Sequence, residues 1–185
     1  QNLDLNRDAI KVESPEMRGL ITRVLKTWDP FLLVDCHTTN GSFHEEPVTF
    51  AWMVNPNGSR TLINYMRDRM MPAVHETLRD KYKVENIFYG EFIDQLAMEK
   101  GWIYDASGAR YMVNYAGLRN RLAILNENYV YADFETRVNG CYRLLVSILE
   151  YAAENGREIN SMLSETDQWY TDRHDNMAEA DSFAI

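Results

Sequence analysis

Two apolar runs of strand length constrain the fold of this chain most strongly. Residues 31–36 read FLLVDC and follow a helical pattern, and residues 121–127 read RLAILNE. Continuous apolar runs of this length are typical of central strands that are covered on both faces. Because helical patterns alternate with them, the sequence predicts an α/β fold. We expect part of a mixed, mostly parallel sheet with helices on both faces.

Helix start and stop signals divide the rest of the chain. Ser14, followed by proline and glutamate, is a typical N-cap, and Asp29 before a proline ends that amphipathic helix. Ser59 can cap a second long helix, which Pro72 is expected to kink or divide. The pattern over residues 91–100 favours a short helix.

The last part of the chain is strongly acidic. Asp133 can cap a final long helix with an apolar stripe. From residue 158 to the end, seven acids accompany one base, Arg173. The sequence therefore predicts one folded unit over residues 1–157 and an acidic extension, helical or loosely held, over residues 158–185.

Composition excludes several classes of partner. The net charge is −9, from 19 basic and 28 acidic residues, which argues against nucleic-acid binding because that needs a basic face. The apolar runs are too short to span a membrane. Cys36 and Cys141 do not make a disulfide framework, and two buried free thiols are favoured over a bridge. The compartment stays open.

Three polar sites stand where chemistry is expected. His37 follows the first apolar run and Glu127 ends the second, and ligands of α/β sheets collect at such strand ends. Asn6 and Arg7 together make a good carboxylate grip, because a guanidinium offers bidentate donors. Each also has a structural alternative: a satisfied histidine, a surface pair, or a salt bridge from Glu127 to Arg119 or Arg121.

These segments, taken in order, resemble one known family. LDLNRD at residues 3–8, VDCHTT at residues 34–39 and LNE at residues 125–127 are similar to motifs of the zinc metallocarboxypeptidases, the carboxypeptidase A-like enzymes. The strings HTTNGS and GLRNR resemble a bacterial branch of that family. The resemblance covers roughly residues 1 to 150, and a secreted or periplasmic location is weakly favoured.

The resemblance implies a role for each site. Asn6 and Arg7 would hold the C-terminal carboxylate of a peptide substrate, His37 would be a Zn²⁺ ligand, and Glu127 would be the catalytic acid/base. A substrate-gripping tyrosine is expected shortly before Glu127. Tyr104 is the first choice for it and Tyr115 the second. Arg119, within the bacterial-branch string, is a further expected substrate contact.

One family motif is missing from this sequence. The first two zinc ligands of the family come as His-x-x-Glu, and none of the four histidines has a glutamate three residues on. We therefore expect the C-terminal half of a catalytic domain, inactive alone, whose N-terminal half supplies two further ligands. Two alternatives stay open: a zinc amidase or deacylase acting on an acylated amino acid or cell-wall peptide, and a non-catalytic fragment or pseudoenzyme.

Overall fold

A four-stranded sheet forms the centre of the structure, a computed structural model that describes residues 3–41 and 43–176. Its strands lie in the order β1-β6-β2-β3. A small two-stranded ribbon lies beside them. The strands, numbered along the chain, are β1 (Leu32–Thr38), β2 (Val48–Trp52), β3 (Asn86–Phe88), β4 (Glu91–Phe92), β5 (Trp102–Ile103) and β6 (Leu122–Asn128).

The two apolar runs form neighbouring strands of this sheet. β1 pairs with β6 in parallel, β2 with β3 in parallel, and β2 with β6 antiparallel. The sheet is therefore mixed and mostly parallel, as predicted. β6 has neighbours on both sides and is buried along nearly its whole length, which explains why its sequence is apolar rather than alternating.

Helices cover both faces of the sheet. They are α1 (residues 15–28, with a π-helical centre at Leu20–Leu25), α2 (residues 60–81), α3 (Met112–Leu118) and α4 (Phe134–Asn176). In the described part of the chain, none of them is both long and apolar enough to cross a membrane.

Alternation along the strands explains this two-sided cover. Leu33 is the pairing partner of Ala123 and packs against a cluster formed by α1 and α3. Asn126 comes three residues after Ala123 on β6 and therefore projects from the opposite face. There its amide donates to the sulphur of Cys141 in α4, at 3.4 Å.

The predicted helix starts are confirmed by their capping bonds. The Ser14 hydroxyl accepts the amide N–H of Met17 at 3.1 Å, and its own O–H donates to Asp8 at 2.6 Å. The Asp133 carboxylate accepts the amide N–H of Thr136 at 2.9 Å. Local sequence thus fixes where α1 and α4 begin.

Two local predictions are corrected. Pro72 does not divide α2, which runs on directly after a wider π-helical segment, Met66–Met70. Residues 91–100 are not a helix: they form β4 and a short 3₁₀ turn, Met98–Lys100. The pairing of β4 with β5, ten residues further along the chain, outweighs the local helical pattern.

The acidic C-terminal segment is joined to the rest of the fold as far as it is described. α4 continues without interruption past residue 158, and Ile159 and Leu163 lie in the main hydrophobic core. Asp167 accepts a hydrogen bond from Arg121, which lies just before β6, at 2.9 Å. Residues 177–185 of the predicted extension lie outside the described residues.

Truncating a core residue of this segment tests whether it stabilises the fold. Leu163 is 4% exposed, so Leu163→Ala should lower the free energy of unfolding by about 2–5 kcal/mol through lost burial and a cavity. The matched change Leu149→Ala, on the same helix but 65% exposed, should cost less than about 0.5 kcal/mol. Urea unfolding of both variants measures this, and equal small effects would mean that residues 158–176 are not part of the cooperative unit.

Candidate functional site

His37 and Glu127 come together at one end of the sheet. They are direct pairing partners in the parallel ladder between β1 and β6, although 127 − 37 = 90 residues separate them in sequence. This confirms the prediction that the two strand ends meet. It follows from parallel pairing, which places the carboxyl ends of both strands at the same edge.

A cleft of about 230 Å³ opens beside Glu127. Four of the residues predicted from the sequence line it: Asn6, Arg7, Tyr104 and Glu127. Five further charged or aromatic residues that were not predicted also line it, namely Asp35, Tyr89, Glu91, Asp105 and Tyr111. The cleft therefore combines one guanidinium with several carboxylates and phenol rings.

Glu127 is buried without a counter-charge bonded to it. The residue is only 8% exposed, and its Oε2 atom has no hydrogen-bond partner within the described residues. Burial raises the pKa of Glu127 to about 7; nearby His37 opposes this rise, and the like charges of Asp35 and Glu91 add to it. A carboxyl with a pKa near neutrality can both accept and return a proton.

The alternative prediction, a salt bridge between Glu127 and Arg121, is wrong. The Arg121 guanidinium is used elsewhere: it donates to Asp29 at 3.0 and 2.6 Å and to Asp167 at 2.9 Å. These bonds join the end of α1, the start of β6 and the late part of α4. Arg121 is therefore a structural residue, and Glu127 keeps its unneutralised position.

His37 is oriented by a carboxylate on the same strand. Its Nε2 lies 2.9 Å from Oδ1 of Asp35, two residues earlier, because alternate residues of a strand share a face. This bond raises the pKa of His37 above its usual value. It also leaves Nδ1 as the ring nitrogen available to another ligand, the arrangement usual for metal-binding histidines.

The described residues do not by themselves form a zinc site. Catalytic zinc sites use three protein ligands, with an open fourth position. Within residues 3–41 and 43–176, no three side chains of the His, Cys, Asp and Glu types are arranged to hold a metal ion. His37, with Asp35 behind it, has the geometry of a single ligand position.

Arg7 presents a positive charge to the cleft from a single 3₁₀ turn, Leu5–Arg7. Asp4 caps this turn by accepting the Asn6 amide at 2.9 Å. The Arg7 guanidinium lies 4.6 Å from the centre of the Tyr111 ring and donates to the Asn6 carbonyl at 2.9 Å. It makes no ion pair with an acidic side chain of the described residues, so it is available to an anion.

The structure separates the two tyrosine candidates. Tyr104 lines the cleft, where burial and then the neighbouring charge of Glu127 raise its pKa to about 12. Tyr115 packs instead against the core cluster of α1 and α3, with the Arg119 guanidinium 5.8 Å from its ring centre. Neither Tyr115 nor Arg119 is brought to the cleft; Arg119 lies near Leu25 and Asp29.

Some of the residues that sequence reasoning missed carried a usable signal. Asp35 stands two positions before His37, and strand alternation alone predicts that they share a face. Tyr111 was within the tyrosine-rich interval before Glu127 but had no feature that favoured it. Glu91 reaches the cleft through the pairing of β4 with β5, which no local pattern indicated.

Comparisons with known proteins do not assign a family to this chain. No family model matches it, and no curated protein and no solved structure does either. The functional conclusion is therefore drawn from the contacts of its own residues.

The raised pKa of Glu127 predicts a pH-dependent stability. Because the folded-state pKa lies above the usual value of 4.5, folding takes up a proton between about pH 4.5 and pH 7, and stability falls as pH rises through that window. The loss is up to about 3 kcal/mol. Glu127→Gln should remove it, so this variant should gain on the wild type as pH rises.

Denaturant unfolding from pH 4.5 to 8 measures the difference between the two proteins. The exposed Glu154 offers a matched control, since Glu154→Gln should give a difference from wild type that stays nearly flat over this range. A flat difference for Glu127→Gln as well would contradict the buried, unneutralised carboxyl.

Proposed function

We propose that this chain carries the acid/base and the carboxylate clamp of a zinc metallocarboxypeptidase, which hydrolyses the C-terminal peptide bond of a peptide. One observation carries the proposal: the buried, unpaired carboxyl of Glu127 and the unpaired guanidinium of Arg7 line the same small cleft. The resemblance of the three motifs to that family supports the same conclusion.

Glu127 suits the role of proton carrier. With a pKa of about 7, it is partly ionised at neutral pH, so it can take a proton from an attacking water molecule. The protonated carboxyl can then pass that proton to the departing amine. Both transfers need a side chain that is held in place, and β6 holds it by pairing on both sides.

Arg7 and Asn6 suit the recognition of a terminal carboxylate. A guanidinium with no acidic partner can form a bidentate, charge-assisted pair with a carboxylate, and the neighbouring amide can add a donor. A clamp of this kind favours substrates with a free C-terminus over internal peptide bonds. Tyr104, which also lines the cleft, would contact the substrate there.

Zinc is the proposed cofactor, and the residues described here supply only part of its site. His37, oriented by Asp35, would be one ligand, and a catalytic zinc site needs two more protein ligands. Zinc, when bound, polarises the scissile carbonyl as a Lewis acid. We accordingly propose that the chain alone is inactive and that the assembled domain is the enzyme.

A non-catalytic role is the second candidate, favoured by the lack of a three-ligand group among the described residues. In that case Arg7 would still bind a carboxylate, but no turnover would follow when zinc is supplied. A zinc amidase or deacylase would use the same Glu127 and differ only in its substrate. That substrate would be an acylated amino acid or a cell-wall peptide.

Removing the Arg7 guanidinium tests the clamp in the zinc-loaded parent protein. Arg7→Ala should lower kcat/KM for peptides with a free C-terminus, because the substrate carboxylate is left buried and unpaired. The lost transition-state stabilisation, calculated from the ratio of the two kcat/KM values, should be on the order of 2 to 5 kcal/mol. C-terminally amidated peptides should be poor substrates already and should lose much less. The measurement is kcat/KM on a matched pair of free and amidated peptides.

Arg110 offers a matched control, since its guanidinium also lies over the Tyr111 ring, at 5.2 Å, but does not line the cleft. Arg110→Ala should leave kcat/KM for both substrates nearly unchanged.

Glu127→Gln should instead depress turnover of every substrate while zinc stays bound. Equal losses on free and amidated peptides after Arg7→Ala would favour the amidase, and full turnover by Glu127→Gln would exclude Glu127 as the proton carrier.

A further inference from the structure

The two cysteines lie in contact with each other. Cys36 is on β1 and Cys141 is on α4, 141 − 36 = 105 residues apart, and both are free thiols. The Cys141 thiol is a close electrostatic neighbour of the Cys36 thiol. The sequence favoured two buried thiols with no bridge between them, but Cys36 is exposed and Cys141 is half-buried.

Asn126 holds the two sulphurs in one place. It is the direct pairing partner of Cys36 in the β1–β6 ladder, and its Nδ2 donates to Sγ of Cys141 at 3.4 Å. The same side chain is also a neighbour of the Cys36 thiol. A well-paired parallel ladder and a capped helix therefore fix the positions from which the two sulphurs approach each other.

We propose that Cys36 and Cys141 form a reversible disulfide, made by thiol–disulfide exchange with a low-molecular-weight disulfide such as oxidised glutathione. A bridge requires the two Cα atoms to lie within about 7 Å and the side chains to face each other. Both cysteines adjoin the same side chain, Asn126, which places them close together. The bridge would fasten β1 to α4 through a covalent bond.

β1 is the strand for which such a bond matters most. In the described part of the sheet it is an edge strand, hydrogen-bonded to β6 alone, and it carries His37 directly after Cys36. Closing a loop of this length removes much of the freedom of the unfolded chain. The disulfide would therefore stabilise the fold and fix the strand that holds the candidate site.

The exchange runs in two steps. The exposed Cys36 loses its proton and attacks one sulphur of glutathione disulfide; that S–S bond breaks, one glutathione leaves and takes up a proton, and a mixed disulfide remains on Cys36. Cys141 then loses its proton and attacks the Cys36 sulphur, which expels the second glutathione as a thiol. Two electrons pass from the protein to the reagent, and one Sγ–Sγ bond forms.

Intact mass spectrometry of the full chain tests the proposal. The protein is reduced, freed of reductant, incubated with oxidised glutathione at pH 8.5, and alkylated after an acid quench. The wild type should end as a monomer with no alkylated thiol and no adduct, lighter by two hydrogens, and dithiothreitol should restore both thiols. The oxidised protein should also have a higher Tm than the reduced protein.

Two matched variants separate the steps. Cys141→Ser should trap one glutathione on Cys36, because no second thiol can displace it. Cys36→Ser should acquire an adduct at least tenfold more slowly, because Cys141 is less exposed, and equal rates would overturn the assigned order of attack. Three results with the wild type would overturn the disulfide itself: two thiols that can still be alkylated, two stable adducts, or bridges between molecules. The wild-type measurement decides this even if a serine variant fails to fold.

Discussion

The parallel pairing of β1 with β6 is the interaction on which the rest of the structure depends. It brings His37 opposite Glu127 and Cys36 opposite Asn126, so both the candidate site and the thiol pair follow from one register. A slip by one residue would move every side chain of β1 to the other face of the sheet.

The cleft owes its chemistry to an imbalance of charge in a poorly hydrated space. Asp35, Glu91 and Glu127 stand near one another, whereas Arg7 approaches from a separate turn at the start of the chain. Burial and like charges hold Glu127 partly protonated near neutral pH, and Tyr111 supports Arg7 without neutralising it. A buried carboxyl and a guanidinium therefore line one cleft with no hydrogen-bonded ion pair between them among the described residues, as the proposed proton carrier and anion grip require.

The features that could be predicted from the sequence are those set by interactions within a few residues. The Ser14 and Asp133 caps and the two apolar runs were readable because capping and burial leave signals within a few residues. The convergence of His37 and Glu127 followed from the rule for parallel strand ends. Arg119 and Tyr115 were expected at the site on the strength of a motif string, but α3 turns them towards α1.

What the sequence did not reveal depends on pairing between distant segments. Glu91 reaches the cleft only because β4 pairs with β5, and the contact between Cys36 and Cys141 requires α4 to cross the face of β1 and β6. The core position of Leu163 was hidden because an acidic segment looks solvated when only its composition is considered. Such contacts are set by tertiary packing, for which a single sequence carries no local signal.

The coupling between His37 and Glu127 tests the account most directly. Carbon-detected NMR can follow the Glu127 carboxyl through a pH titration in the wild type, in His37→Ala, and in His75→Ala, whose histidine bonds Asn86 at the far side of the sheet. We expect a Glu127 pKa of about 7 in the wild type, a higher pKa in His37→Ala because a favourable positive neighbour is lost, and no change in His75→Ala. A Glu127 that titrates at its usual value, or that does not respond to the loss of His37, would contradict the proposed site.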